Sequence, residues 1–88
     1  MGNMSIDENY SEAHQLDARR LLCPLPVIRT QDAALELASG ELLTVTCTDP
    51  GTKMDIPSWC RINGHEVLAI KEQDLEVIIT LKVNHDTE

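Results

Sequence analysis

A cysteine followed by two prolines in alternate positions, Leu22-Cys23-Pro24-Leu25-Pro26, is the part of the sequence best suited to chemistry. Proline has no backbone N–H, so it is accommodated in the first turn of a helix, where that donor is not yet needed. The stretch from Leu21 to Pro26 reads as a strand end, a cysteine at the cap and a helix opening on Pro24. A sulfur atom there is expected to face unpaired N–H groups and the positive end of the helix dipole, which favour thiolate over thiol. Cys23 is therefore the candidate nucleophile. Dipole stabilisation at an exposed site is worth only ~0.3–1 kcal/mol, so a modest lowering of the pKa is expected. No general base stands in the local sequence.

The remaining thiols read differently. Cys47 falls on the inward side of an expected strand, where packing explains it. Cys60 follows Trp59 on the apolar side of an expected helix, where core packing is favoured over a secondary or resolving thiol. A Cys23–Cys60 disulfide is compatible with the sequence and would consume the candidate nucleophile. With no C-x-x-C there is neither a zinc ribbon nor a paired dithiol. His14, His65 and His85 lack paired ligand spacing, so neither a metal nor a cofactor is expected. Asp55 reads as a helix cap or first-turn acid, and Asp17 as support for the turn leading to Cys23. Arg19, Arg20, Arg29 and Arg61 could form a basic rim that docks an acidic partner; the plainer reading is ordinary solvated charge.

Six elements position these residues. His14 to Arg19 alternates, with Leu16 and Ala18 on one face, and predicts a short strand. A helix is expected from Pro24 to about Ser39, burying Val27, Ile28, Gln31, Ala34, Leu35 and Ala38 and stopping at Gly40. Glu41 to Thr48 alternates as a strand with Leu43, Val45 and Cys47 inward. After the Asp49-Pro50-Gly51 turn, a second helix runs from Thr52 or Asp55 to about Asn63, with Pro57 near its first turn and Gly64 as its stop. Glu66 to Glu72 and Leu75 to Val83 are the last strands, joined through Gln73-Asp74, with Leu75, Val77, Ile79, Leu81 and Val83 on one face. The order β-α-β-α-β-β, with strands apolar on one side, predicts an α/β (α+β) two-layer sandwich. A four-stranded mixed sheet carries both helices on one face.

Eighty-eight residues suffice for one domain, and with no Phe, one Trp and one Tyr its core must be aliphatic. The expected organisation is a flexible acidic tail over residues 1–13, one domain over 14–84 and a short tail over 85–88. The net charge of −8 sits largely in those tails: residues 16–85 hold ten acids against all seven bases. A mildly acidic body argues against direct nucleic-acid binding. An odd count of three cysteines, no secretory signal and no membrane-length apolar run predict a cytoplasmic protein. Nothing in the strand pattern calls for an oligomer, and a monomer is expected.

Four blocks together, Leu16-Asp17-Ala18-Arg19, Cys23-Pro24-Leu25-Pro26, Thr48-Asp49-Pro50-Gly51 and Asp55-Ile56-Pro57-Ser58-Trp59-Cys60, resemble the TusA family of small sulfur-carrier proteins, also called SirA-like. The similarity spans roughly residues 15–83. It implies a two-layer sandwich whose Cys-Pro-x-Pro cysteine accepts sulfane sulfur as a persulfide, here Cys23, with Pro24 and Pro26 as the motif's prolines. It implies as donor a cysteine desulfurase, a rhodanese or a DsrE-like carrier, and as acceptor another sulfur-transfer protein. The pathways implied are tRNA thiolation, molybdenum cofactor assembly or sulfur oxidation, without stand-alone turnover. The chain departs from the family in having Arg20 where glycine is usual and Leu22 where a polar residue often precedes the cysteine. Arg20 implies a backbone with no strong need for glycine. The competing functions are a non-catalytic interaction or regulatory module and a thiol redox sensor using Cys23 and Cys60.

Overall fold

The structure, a computed structural model, describes residues 13–85. The expected acidic tail lies outside the described residues apart from Ala13, which is buried. In chain order the elements are β1 (His14–Ala18), α1 (Leu25–Leu35), β2 (Leu42–Cys47), α2 (Thr52–Asn63), β3 (Glu66–Gln73) and β4 (Glu76–Lys82). The strands lie in the order β1-β2-β4-β3, with β1 and β2 parallel and the other pairs antiparallel. This is the mixed sheet that the sequence predicts.

Strict alternation explains the core. Leu43, Val45 and Cys47 of β2 lie opposite Leu81, Ile79 and Val77 of β4, so every pair points to the same side. Ala34 of α1 and Ile56 and Cys60 of α2 close over that side in one buried cluster. On the other face Thr44 and Thr80 share a hydroxyl–hydroxyl hydrogen bond of 3.0 Å. Gly64 takes φ 85° and ends α2, and its N–H and that of His65 bond the carbonyls of Arg61 and Cys60.

The first helix differs from its sequence reading in length and face. It ends at Leu35, and its buried positions are Pro26, Thr30 and Ala34. Ile28 and Leu35, expected inside, are 46% and 68% exposed. Thr30 replaces them because its hydroxyl donates to the Pro26 carbonyl at 2.7 Å, which removes the cost of burying it. Pro57 sits in the second turn of α2 rather than the first, since that helix already begins at Thr52. His85, assigned from sequence to the C-terminal tail, is held against α1. Its N–H donates to Ser39 Oγ at 2.6 Å, and its ring Nε2 lies 3.0 and 2.8 Å from the Ala34 and Leu37 carbonyls.

Three residues other than glycine occupy left-handed backbone that favours glycine. Arg20 has φ 70°, so the position where the family usually has glycine does carry a glycine-like conformation, contrary to the expectation from sequence. Asp74 and Leu75, at φ 51° and 67°, form the β3–β4 turn, so Leu75 leaves the inner face of β4 and is 93% exposed. A two-residue hairpin with both φ positive prefers Asn-Gly or Asp-Gly. Leu75→Gly is therefore expected to stabilise the fold by about 1 kcal/mol. Thermal unfolding should show a midpoint higher by roughly 4–8 °C; an unchanged or lower midpoint would count against the strain.

Candidate active site

Parallel pairing of β1 with β2 sends both strand-to-helix loops out at the same sheet edge. The β1–α1 loop brings Cys23, and the β2–α2 loop brings Thr48, Asp49 and Gly51. Thr48 Oγ1 accepts the Arg20 N–H at 2.7 Å, and Asp49 Oδ2 accepts the Cys23 N–H at 3.0 Å. The other oxygen of Asp49 accepts the Gly51 N–H at 3.0 Å, and its carbonyl receives both the N–H and the hydroxyl of Thr52. One aspartate thus ties the cysteine's backbone to the start of α2. Gly51 lies between the two acids: a Cβ built there would stand 3.4 Å from Asp49 Oδ1 and 3.8 Å from Asp55 Oδ2.

The thiol itself is exposed, and its Sγ donates to Asp55 Oδ2 at 3.0 Å. This reverses the expected electrostatics. Pro24 caps α1, and Leu25 and Pro26 are its first residues. The two prolines carry no N–H, the Leu25 N–H is taken by the Leu22 carbonyl, and those of Val27 and Ile28 are taken by Pro24. The helix terminus therefore offers the sulfur no free donor, while α2 offers it a carboxylate. The hydrogen bond to Asp55 pushes the Cys23 thiol above its ordinary pKa, helped by partial desolvation and by the charges of Asp55 and Asp49. Asp49 moves the other way, held below the usual carboxylate range by the Gly51 and Cys23 N–H groups. Its stabilisation of the loop is present above the ordinary carboxylate pKa and is lost as the pH falls through the lowered value.

Asp55→Asn keeps the size of the acceptor and removes its charge. The Cys23 pKa, followed by the ultraviolet absorbance of the thiolate, is expected to fall on that substitution. An unchanged titration would mean that the carboxylate is not the cause of the raised value.

The other residues singled out in the sequence fall elsewhere. Asp17 receives the Arg19 N–H at 3.1 Å and its guanidinium at 2.9 and 3.0 Å, which holds the carboxyl down at about 2. It supports the turn after β1 and makes none of the bonds to Cys23. Arg19 also meets Glu76 at 3.6 Å. Arg20 lines a groove with Thr48, Lys53 and Leu75, Arg29 a separate groove against β1, and Arg61 the last turn of α2. The charged groups that push the Cys23 thiol up are the two acids, Asp55 and Asp49. Cys60 is buried in the core, where desolvation pushes its thiol up to about 11, and Cys47 is buried likewise. Among the described residues no cluster of three or more metal-ligating side chains occurs, and no helix is long and apolar enough to cross a membrane.

Asp49 is the site residue that sequence reading passed over. The Asp-Pro-Gly pattern is a strong turn signal, and nothing local distinguishes a turn aspartate from one that also holds a distant N–H. The sequence identifies Asp55 as a helix acid, and only the fold makes it the acceptor of the thiol.

Known proteins resemble this chain in sequence and in fold. The sequence model of the family described as sulfurtransferase TusA matches residues 14–83. The sulfur carrier protein TusA of Pseudomonas syringae pv. syringae is 40% identical over 67 residues, covering 76% of this chain and 80% of that protein. The sulfur carrier protein TusA of Pseudomonas putida is 47% identical over 58 residues, covering 66% and 72%. Among solved structures, the SirA-like protein from Desulfitobacterium hafniense superposes with a TM-score of 0.71 over 80% of this chain and 96% of its own. At 22% identity that likeness is one of fold.

Proposed function

The chain belongs to the sulfurtransferase TusA family of sulfur carriers, and from that premise we propose that Cys23 holds the cargo as a persulfide. A donor protein, a cysteine desulfurase, a rhodanese or a DsrE-like carrier, presents an outer sulfur atom to the Cys23 thiol. The loaded chain then offers that sulfur to an acceptor protein, in tRNA thiolation, molybdenum cofactor assembly or sulfur oxidation. The observation that carries this reading is the exposure of Cys23 on a loop fixed by Asp49 and Asp55, while Cys47 and Cys60 are enclosed. Transfer between proteins needs a sulfur that two different partners can reach in turn. Leu22 and Met54, 72% and 74% exposed, lie next in sequence to Cys23 and Asp55 and supply apolar contact surface for such partners.

The test is incubation with a cysteine desulfurase and free cysteine, followed by intact mass measurement and peptide mapping. The expected result is a gain of one sulfur atom that reductant removes and that maps to the peptide holding Cys23. A gain on Cys47 or Cys60, or no gain from either a desulfurase or a rhodanese with thiosulfate, would overturn the assignment.

A further inference from the structure

Cys23 meets its electrophile as a neutral thiol, and a thiol must lose its proton as the new sulfur–sulfur bond forms. Among the described residues, the groups around it leave one acceptor. Asp55 Oδ2 stands 3.0 Å from Sγ, within the distance required of a general base. Asp49 is spent on the backbone N–H groups of Cys23 and Gly51. The first turn of α1 contributes no acidic residue. Arg19 is paired with Asp17 and Glu76, and Lys53 with Glu72 at 2.7 Å, so neither is drawn to the sulfur. Asp55 is itself fixed in the first turn of α2, a helix seated on the core through Ile56 and Cys60.

We propose that Asp55 is a catalytic residue of sulfur loading, taking the Sγ proton of Cys23 as that sulfur attacks, with Asp49 as the positioning residue that aims the thiol. The inference rests on the reading of Cys23 as the cargo site. In loading, Sγ attacks the outer sulfur of the donor's persulfide and bonds to it. The donor's own sulfur–sulfur bond breaks, and its electron pair leaves on the donor cysteine. The Sγ proton passes to Asp55 Oδ2 and then to that departing thiolate. One sulfur–sulfur bond is made and one broken, with no outside oxidant or reductant. The arrangement also suits the nucleophile, because a thiol of higher pKa attacks sulfur more strongly once its proton has been taken.

The pH profile of exchange with oxidised mercaptoethanol, a neutral disulfide that needs no docking, tests the proposal. The reaction is followed by intact mass, with circular dichroism to check folding. If Asp55 takes the proton, the reacting form is thiol plus carboxylate, so between about pH 6 and about pH 8 the rate does not follow the thiolate population. The wild-type rate should then change by less than about threefold per pH unit, and Asp55→Glu should keep that shallow profile. Asp55→Asn should react only through free thiolate, rising about tenfold per pH unit. A tenfold rise per unit in the wild type, or a shallow profile in Asp55→Asn, overturns the proposal. The wild-type profile decides even if a variant does not fold. Because no sulfur donor is used, failure here leaves the persulfide reading of Cys23 standing. Failure of sulfur loading in turn leaves the proton transfer to be judged by its own profile.

Discussion

Cys23→Ser is expected to lose all sulfur loading while its thermal midpoint stays close to that of the wild type. The side chain is exposed, and surface substitutions usually stay within about 0.5 kcal/mol. Serine can still donate to Asp55, so the loop geometry survives, but an alkoxide is not formed at neutral pH and no sulfur–sulfur bond follows. Cys60→Ser should show the opposite pattern. Its thiol is enclosed, so replacing it with a more polar hydroxyl in the apolar core costs about 1–3 kcal/mol, yet loading is retained. Intact mass after treatment with a desulfurase reads one effect and thermal unfolding the other. A folded Cys60→Ser protein that cannot be loaded would show that one thiol is not enough. It would favour the two-thiol redox reading instead.

The second large effect is expected at Ile56, which is fully buried beneath α2 and next in sequence to Asp55. Ile56→Ala removes three carbon atoms from a packed core and is expected to cost about 2–5 kcal/mol. A domain of this size has roughly 4–11 kcal/mol in total, so the loss is a large share of it. Urea unfolding should show a lower midpoint with an unchanged slope. The same loss should appear chemically. Cys60 is reached only when the fold opens, and each 1.4 kcal/mol raises the open population about tenfold. Alkylation of Cys60 under native conditions should accordingly accelerate by about thirtyfold or more. A cost below about 1 kcal/mol would mean that α2 settles into the vacated space.

These outcomes separate two jobs that one helix performs. The buried side of α2 carries stability through Ile56 and Cys60, and its first turn carries the chemistry through Asp55. Strain stands apart from both, in Arg20 and in the Asp74-Leu75 turn. Relief at Leu75 is expected to stabilise the hairpin without touching the Cys23 loop. Arg20 is a different matter, because its N–H is held by Thr48 and its backbone leads directly into the site.

Much of the fold is written in local periodicity. The inward sets Leu43, Val45, Cys47 and Val77, Ile79, Leu81, Val83 alternate at a period of two, and a strand has no other way to place them. Gly64 ends α2 because glycine tolerates the left-handed turn there, and Cys23 stands at a helix start because two prolines follow it. The family is legible as well, because the four blocks that resemble it are visible in the sequence alone. The first helix was legible only in part. Thr30 counts as polar in any apolar pattern, and its hydrogen bond to Pro26 is what admits it to the core in place of Ile28 and Leu35. Leu75 was misplaced because an apolar residue in phase with a strand looks the same whether the strand or the turn claims it.

What only the tertiary structure decided is the state of the sulfur. Sequence reasoning set Cys23 against a helix terminus and expected a modestly lowered pKa, whereas the folded chain sets it against a carboxylate that pushes the thiol the other way. The bonds responsible join residues 26 and 32 positions apart. Helix and strand periodicities relate a residue only to neighbours a few positions away. Asp49 and Asp55 reach Cys23 because two parallel strands deliver their loops to the same edge of the sheet, and that meeting exists only in the folded chain.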